Sequence, residues 1–165
     1  VIARSDPYGI ALLSRWPVVG VIEQVDFAGD GLPSLVATLE RNGRRMQVIV
    51  LHTRWPVSPA LQPLRDQALQ QAARLAAMRP DSTVLLGDLN LTPFAPAFAR
   101  LLDESRLRDA LADEVWRPTW LAGFWPLALP IDHVLVPHGS CVTAQEIGPY
   151  VGSDHRPVQV TLRLP

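Results

Sequence analysis

The stretch Thr83-Val84-Leu85-Leu86-Gly87-Asp88-Leu89-Asn90 decides how the rest of the chain is read. Its first four residues are the β-branched and aliphatic types of a buried strand, and the run breaks at a glycine followed by Asp-Leu-Asn. Taken singly, Asp-x-Asn after a strand is a turn, because both side chains cap their own backbone. Its weight comes from recurrence. His52 follows Val48-Ile49-Val50-Leu51, Asp132 and His133 open Val134-Leu135-Val136, and Asp154 and His155 precede Val158–Leu162. Each polar group stands at a strand end, where loops from neighbouring strands bring side chains together.

Working outward, Ile10–Leu13, Leu35–Leu39, Met46–Leu51, Thr83–Leu86, His133–Val136 and Val158–Leu162 read as strands. Asn42-Gly43 between the second and third predicts a tight hairpin, since both residues accept positive φ. Apolar residues at Leu64, Ala68, Leu69, Ala72, Leu75 and Ala76 predict a helix from Leu64 to Met78, stopped by Pro80. A second helix is expected over Ala95–Glu104. Helices alternating with strands in places, and hairpins in others, imply an α/β layered fold with mixed sheets. Without a repeat, linker or low-complexity tract, residues 1–165 form a single domain.

The composition is that of a globular protein, 48% hydrophobic and 19% charged. All 15 basic residues are arginine and the net charge is -1, which excludes the broad positive field of a tight non-specific DNA binder. The apolar stretch Leu121–Ile131 is broken by Pro126 and Pro130 and falls short of the ~18 residues a membrane helix needs. Cys141, alone, forms no internal disulfide and reads as a small buried residue. The chain starts at Val1, without Met, almost directly in a strand-like region. Upstream sequence is therefore expected to have been removed, and with it any membrane anchor; the compartment is not legible.

Three Asp, one Asn and at least two His at strand ends supply the groups needed to bind a hard cation and to move protons. His133 would point to the opposite face of its strand from Asp132 and reads as structural, and His138 as a turn residue. Trp55, Trp116, Trp120, Phe124 and Trp125 could form a rim that stacks on a base or touches lipid, or could simply pack.

Five segments, in order, make the chain resemble the endonuclease/exonuclease/phosphatase superfamily, which includes DNase I-like nucleases, sphingomyelinases and inositol polyphosphate phosphatases. They are Gly9-Ile10-Ala11-Leu12-Leu13-Ser14-Arg15, Val50-Leu51-His52-Thr53, Gly87-Asp88-Leu89-Asn90, Pro130-Ile131-Asp132-His133-Val134-Leu135 and Gly152-Ser153-Asp154-His155-Arg156-Pro157-Val158. Thr92-Pro93 and Pro118-Thr119-Trp120 resemble a bacterial subgroup. The resemblance implies a four-layer α/β sandwich: two mixed β-sheets packed face to face, with helices outside.

The resemblance also implies roles. His155 would be the general acid or base, oriented by Asp132. Asp88 would position water or protonate the leaving oxygen, and Asn90 and His52 would donate hydrogen bonds to phosphoryl oxygens. Asp154, with Asp88 and Asn90, would form the metal site for Mg²⁺ or Mn²⁺. Trp120 and Arg15 are the candidate substrate contacts, joined by Trp125. One departure stands out: the family's principal metal-binding Glu, on an early strand, and an Asn before it both precede the Gly9 segment, so this chain is expected to be the C-terminal portion of its domain. Glu23 and Glu40 come after Gly9 and do not replace that Glu. The expected function is metal-dependent hydrolysis of a phosphoester in nucleic acid or in a phospholipid or inositol phosphate, with no obligate protein partner. The alternatives are a sphingomyelinase-like lipid or inositol-phosphate hydrolase and a non-catalytic binding fragment.

Overall fold

The computed structural model describes residues 1–112, 116–121 and 124–163, with only the backbone of Trp125. The strands are β1 (Glu23–Val25), β2 (Ser34–Arg41), β3 (Arg44–His52), β4 (Thr83–Asp88), β5 (Leu107–Asp109), β6 (Asp132–Pro137), β7 (Cys141–Ile147) and β8 (Val158–Arg163), with helices α1 (Leu61–Ala77) and α2 (Pro96–Ser105). The first six strands form one sheet in the order β1-β2-β3-β4-β6-β5, and β7 and β8 form a two-stranded sheet. The larger sheet is mixed, since β3 and β4 run parallel while its other pairs are antiparallel.

The hairpin between β2 and β3 turns through Asn42 at φ 51° and Gly43 at φ 75°, the pair of positive values that Asn-Gly favours. Helix α1 begins a turn earlier than its apolar spacing suggests, with Pro63 in the first turn. The amide a proline lacks would have no intrahelical partner there. Strand β1 is short and largely exposed, and β5 has three residues, so neither left a periodic signature.

Side chains alternate across the larger sheet. Val36, Ile49, Leu51, Leu85 and Leu135 point to one face and pack against Leu69, Ala72, Ala73 and Ala76 of α1 and Phe98 and Leu101 of α2. The other face carries Leu35, Leu39, Val48 and Val50, covered by Ile10, Leu12 and Trp16 of the N-terminal segment. On that same face Val84 and Val136 meet Val142 of β7 and Val160 and Leu162 of β8. Two sheets thus pack face to face with helices outside the larger one. The smaller sheet is antiparallel, and no helix covers its outer face among the described residues. Between the N-terminal segment and β8 an apolar groove of about 640 Å³ remains, lined by Leu12, Trp16, Met46, Leu86 and Val160 among others; it carries no acidic or imidazole group.

Two expectations need correction. Ile10–Leu13 is not a strand: Ile10 makes one isolated bridge, to Ile2, and the segment otherwise packs by its apolar side chains. Cys141 is exposed rather than buried, because β7 has a single neighbour and its alternation turns Val142 inward and Cys141 to solvent.

Gly87 is required where β3 and β4 approach. It lies at φ +139°, and a Cβ there would stand 1.8 Å from the Leu51 carbonyl oxygen. Gly87→Ala should therefore cost about 3 kcal/mol or more, from steric overlap and backbone strain together. An unchanged urea midpoint in that variant would contradict the close pairing described.

Candidate active site

Residues two apart on a strand share a face, so His52 shares one with Val50, Asp88 with Leu86, and Asp132 with Val134. The register sets His52 opposite Asp88, and Asp88 opposite Asp132. All three side chains therefore rise from one end of the larger sheet on the face that meets the smaller sheet. His155 enters from the other side, three residues before β8. The cluster straddles the join between the two sheets.

The shortest contact is His155 Nδ1 to Asp132 Oδ2, 2.8 Å. A carboxylate only accepts, so the Nδ1 proton donates to it and leaves Nε2 facing the site. His155 Nε2 lies 3.8 Å from Asp88 Oδ2, and His52 Nε2 lies 3.4 Å from the same oxygen. Ligand atoms of Asp88, Asp132 and His155 all fall within 4.8 Å of one another.

The loops that hold these groups are tied by their own backbones. Thr53 N–H donates to the Asp88 carbonyl at 3.1 Å, and Thr53 Oγ1 donates to the Leu89 carbonyl at 2.7 Å. Asn90, at φ 46°, donates its backbone N–H to Asp88 Oδ1 and its side-chain Nδ2 to the Thr53 carbonyl, each at 2.9 Å. Buried Arg65 of α1 donates to the Asn90 carbonyl at 3.2 Å. Thr119, fully buried, joins the two halves of the His–Asp pair. Its hydroxyl accepts the Asp132 N–H at 3.2 Å, and its carbonyl accepts the Arg156 N–H at 2.7 Å. Ser153 Oγ accepts the His155 N–H at 3.1 Å, which sets the turn before the imidazole.

The electrostatics separate the titrating groups. Burial and the nearby Asp132 charge push Asp88 up to about 6. The hydrogen bond that His155 donates to Asp132 raises His155, while burial and the His155 charge lower His52. At neutral pH His52 is thus the neutral imidazole of the two.

The remaining candidates fall in different places. Asn90 is buried at the site, with one amide N–H committed to Thr53. Asp154 is exposed beside Ser153 and outside the cluster of Asp88, Asp132 and His155. Trp120 bridges His155 through its backbone, and its ring meets Trp55 edge-on at 5.7 Å. The Trp125 side chain lies outside the described residues. Arg15 is not brought to the cluster: it is exposed beside Trp16, whose ring lies under the Arg41 guanidinium at the hairpin end of the sheet. His133 points to the helix face, as strand alternation requires, with Nε2 on the Leu91 carbonyl at 2.8 Å and its ring 4.5 Å from Phe98. His138 lies in the turn after β6.

Sequence reasoning missed a flank of the site. The Tyr8 ring lies 4.8 Å from the His52 ring, and the Arg54 guanidinium lies 5.1 Å from Tyr8 and is fixed by Asp30 at 2.7 Å. Tyr8 and Asp30 belong to no motif or periodic run, so no spacing marked them. Thr119 was visible only as part of Pro118-Thr119-Trp120, which says nothing of its two backbone partners.

The model of the endonuclease/exonuclease/phosphatase family matches residues 1–155. No curated protein sequence matches the chain. Among solved structures, sphingomyelinase C from Streptomyces griseocarneus superposes with a TM-score of 0.59 at 20% identity, over 93% of this chain and 64% of that one. TDP2 from D. rerio, complexed with a single-strand DNA product, gives a TM-score of 0.68 at 15% identity, over 88% and 68%. Beta toxin from Staphylococcus aureus with bound magnesium ions gives 0.55 at 16%, over 77% and 56%. The chain thus spans about two thirds or less of the length of these structures. With the family model spanning residues 1–155, from the N-terminal segment to His155, the chain belongs to the endonuclease/exonuclease/phosphatase family.

Proposed function

We infer that this chain carries the proton-transfer end of a divalent-metal-dependent phosphoester hydrolase, with His155 as acid/base oriented by Asp132. The observation that carries this reading is the 2.8 Å bond from His155 Nδ1 to Asp132, which leaves Nε2 turned into a cluster of acidic and imidazole groups. A carboxylate behind the imidazole holds the tautomer and steadies the imidazolium that forms when Nε2 takes a proton. His52, neutral and beside Asp88, is placed to hydrogen-bond a phosphoryl oxygen. Asp88 is placed to orient water or, near its raised pKa, to hand a proton to the leaving oxygen.

The donor set fits a hard cation. Burial and the facing Asp132 charge together raise Asp88 to about 6, and a divalent cation relieves the repulsion between the two carboxylates. Asp88 would hold Mg²⁺ or Mn²⁺, with the Asn90 amide oxygen and, through water, exposed Asp154. The magnesium bound in the Staphylococcus aureus beta toxin structure supports the same ion class. When bound, the cation neutralises charge on the phosphoryl oxygens.

The full-length protein should hydrolyse bis-p-nitrophenyl phosphate with Mg²⁺ or Mn²⁺ and lose the activity in EDTA; turnover that survives EDTA would sink the reading. His155→Ala and Asp88→Asn should each lower kcat by about 10²-fold or more, and wild-type rates in either would refute its role. Thr119→Val should lower kcat far more than it raises KM and displace the pH profile, whereas Thr119→Ser restores both. Equal loss in the two variants would mean that Thr119 acts by packing alone.

The raised pKa of Asp88 makes a separate prediction for the metal-free protein. The unfolded group ionises near 3.8 and the folded one near 6, so stability present at low pH is lost as pH rises from about 4 through 6. His155, raised from 6.5, acts in the same direction but at higher pH. Asp88→Asn should thus stabilise the metal-free protein at pH 7 relative to pH 4, by on the order of 1–3 kcal/mol. Thermal melts showing the same effect of the substitution at both pH values would contradict the assigned burial of the charge.

A further inference from the structure

We propose that Tyr8 is a positioning residue for His52, held in place by the Arg54–Asp30 pair, so that a flank built from separate chain segments aims the imidazole at the phosphoester. The proposal rests on the phosphoester-hydrolase reading above, in which His52 hydrogen-bonds a phosphoryl oxygen, and adds what keeps that imidazole aimed.

His52 needs such support. Its register partner is Asp88, but its Nε2 stands 3.4 Å from Asp88 Oδ2, beyond the roughly 2.7–2.9 Å of a charge-assisted hydrogen bond. That contact does not fix the rotation of the ring. A second constraint comes from the Tyr8 ring, whose centroid lies 4.8 Å from that of His52 with 50° between the planes, the spacing of packed aromatic rings. Tyr8 reaches the chemistry through His52, which makes its role one of positioning.

The place of Tyr8 is itself built by residues 4–8, 26–32 and 52–54. Asp6 Oδ1 accepts the Tyr8 N–H at 3.1 Å, a local turn that sets the backbone of the residue. Arg4 forks onto the Asp6 carboxylate at 2.6 and 2.8 Å and donates to the Gly31 carbonyl at 2.9 Å. The N-terminal segment is thereby tied to the loop before β2. In that loop the Asp26 carboxylate accepts the N–H groups of Gly29, Asp30 and Gly31, at 2.8, 3.1 and 2.8 Å. The loop so shaped presents Asp30 to Arg54, whose Nε donates to Oδ2 at 2.7 Å and whose Nη2 donates to the Asp30 carbonyl at 3.0 Å. The Arg54 guanidinium lies 5.1 Å from the centre of the Tyr8 ring and closes the circuit. An exposed pair such as Arg4–Asp6 contributes little, but the Asp30 side chain is only 7% exposed, and without Arg54 its carboxylate would be buried with no counter-charge. The circuit therefore holds Tyr8 against His52 firmly.

The test is a double-mutant cycle on the full-length protein, with bis-p-nitrophenyl phosphate and Mg²⁺. His52→Ala should lower kcat by about 10²-fold, as loss of one donor to a developing charge does. Tyr8→Leu should lower kcat by about tenfold and leave KM within about twofold. Tyr8→Phe, which keeps the ring and both of its contacts, should rescue that loss. Because Tyr8 acts through His52, the double variant should be no slower than His52→Ala alone. Losses that multiply, an effect of Tyr8→Leu on KM instead of kcat, or an undiminished kcat in Tyr8→Leu would each overturn the assignment. A second readout needs no turnover: the His52 imidazole proton resonances, displaced by the Tyr8 ring current, should move in Tyr8→Leu and stay in Tyr8→Phe. Resonances unmoved in Tyr8→Leu would overturn the contact itself. The two readings fail separately. Absence of turnover in the wild type removes the hydrolase reading while the resonances still decide the Tyr8–His52 contact, and turnover with multiplying losses removes the role of Tyr8 alone.

Discussion

The parallel pairing of β3 with β4 fixes everything placed at their ends, and it closes only because residue 87 has no side chain. With the Leu51 carbonyl where a Cβ of residue 87 would stand, the two strands sit close enough to set His52 opposite Asp88. From Asp88 the register passes across the sheet to Asp132, and Thr53 and Asn90 lock the two emerging loops to each other. His155 alone comes from outside this sheet, and it is held by the carboxylate that the sheet presents. The site is therefore less a set of loops than the frayed end of one pairing pattern. Its geometry depends on backbone register more than on side-chain packing.

That geometry has an electrostatic cost. Two carboxylates are kept close and partly out of water, and each accepts a hydrogen bond. Asp88 accepts the Asn90 N–H, and Asp132 accepts the His155 Nδ1–H. The two imidazoles then differ because only one has a carboxylate behind it. His155 is held toward its charged form by Asp132, and His52 is held toward its neutral form by burial and by the charge on His155. Two like residues are thus made unlike by their surroundings.

The sequence made legible the parts of the fold that obey a period or a turn rule. Asn42-Gly43 announced its hairpin, and β2, β3, β4, β6 and β8 appeared as aliphatic runs within a residue or two of their observed bounds. The strand alternation that set His133 apart from Asp132 was also readable, since a period of two admits no other outcome. What escaped lacks a local signature. Strand β1 has three residues and β7 shares its pattern with a loop, because in a two-stranded sheet half the side chains meet solvent on either side. Ile10–Leu13 is as aliphatic as a strand but covers a face instead of extending one. The Tyr8–Arg54–Asp30 flank joins residues up to 46 positions apart, from Tyr8 to Arg54, through tertiary contact alone. Arg15, the last residue of the matching segment that starts at Gly9, stands beside Trp16 toward the hairpin end of the sheet, a placement its spacing from the other segments could not give.

The outward turn of Cys141 gives the molecule a chemical address. It is the one thiol in these 165 residues, it is exposed, and it begins β7, whose other end pairs with Val158 near His155. Six strand residues separate the two ends, roughly 20 Å. A dye or spin label attached at this sulfur would ride on the smaller sheet while leaving the cluster and its surrounding loops unaltered. Paired with the tryptophans at the opposite end, it would turn the separation between the outer strand and the His–Asp cluster into an optical distance.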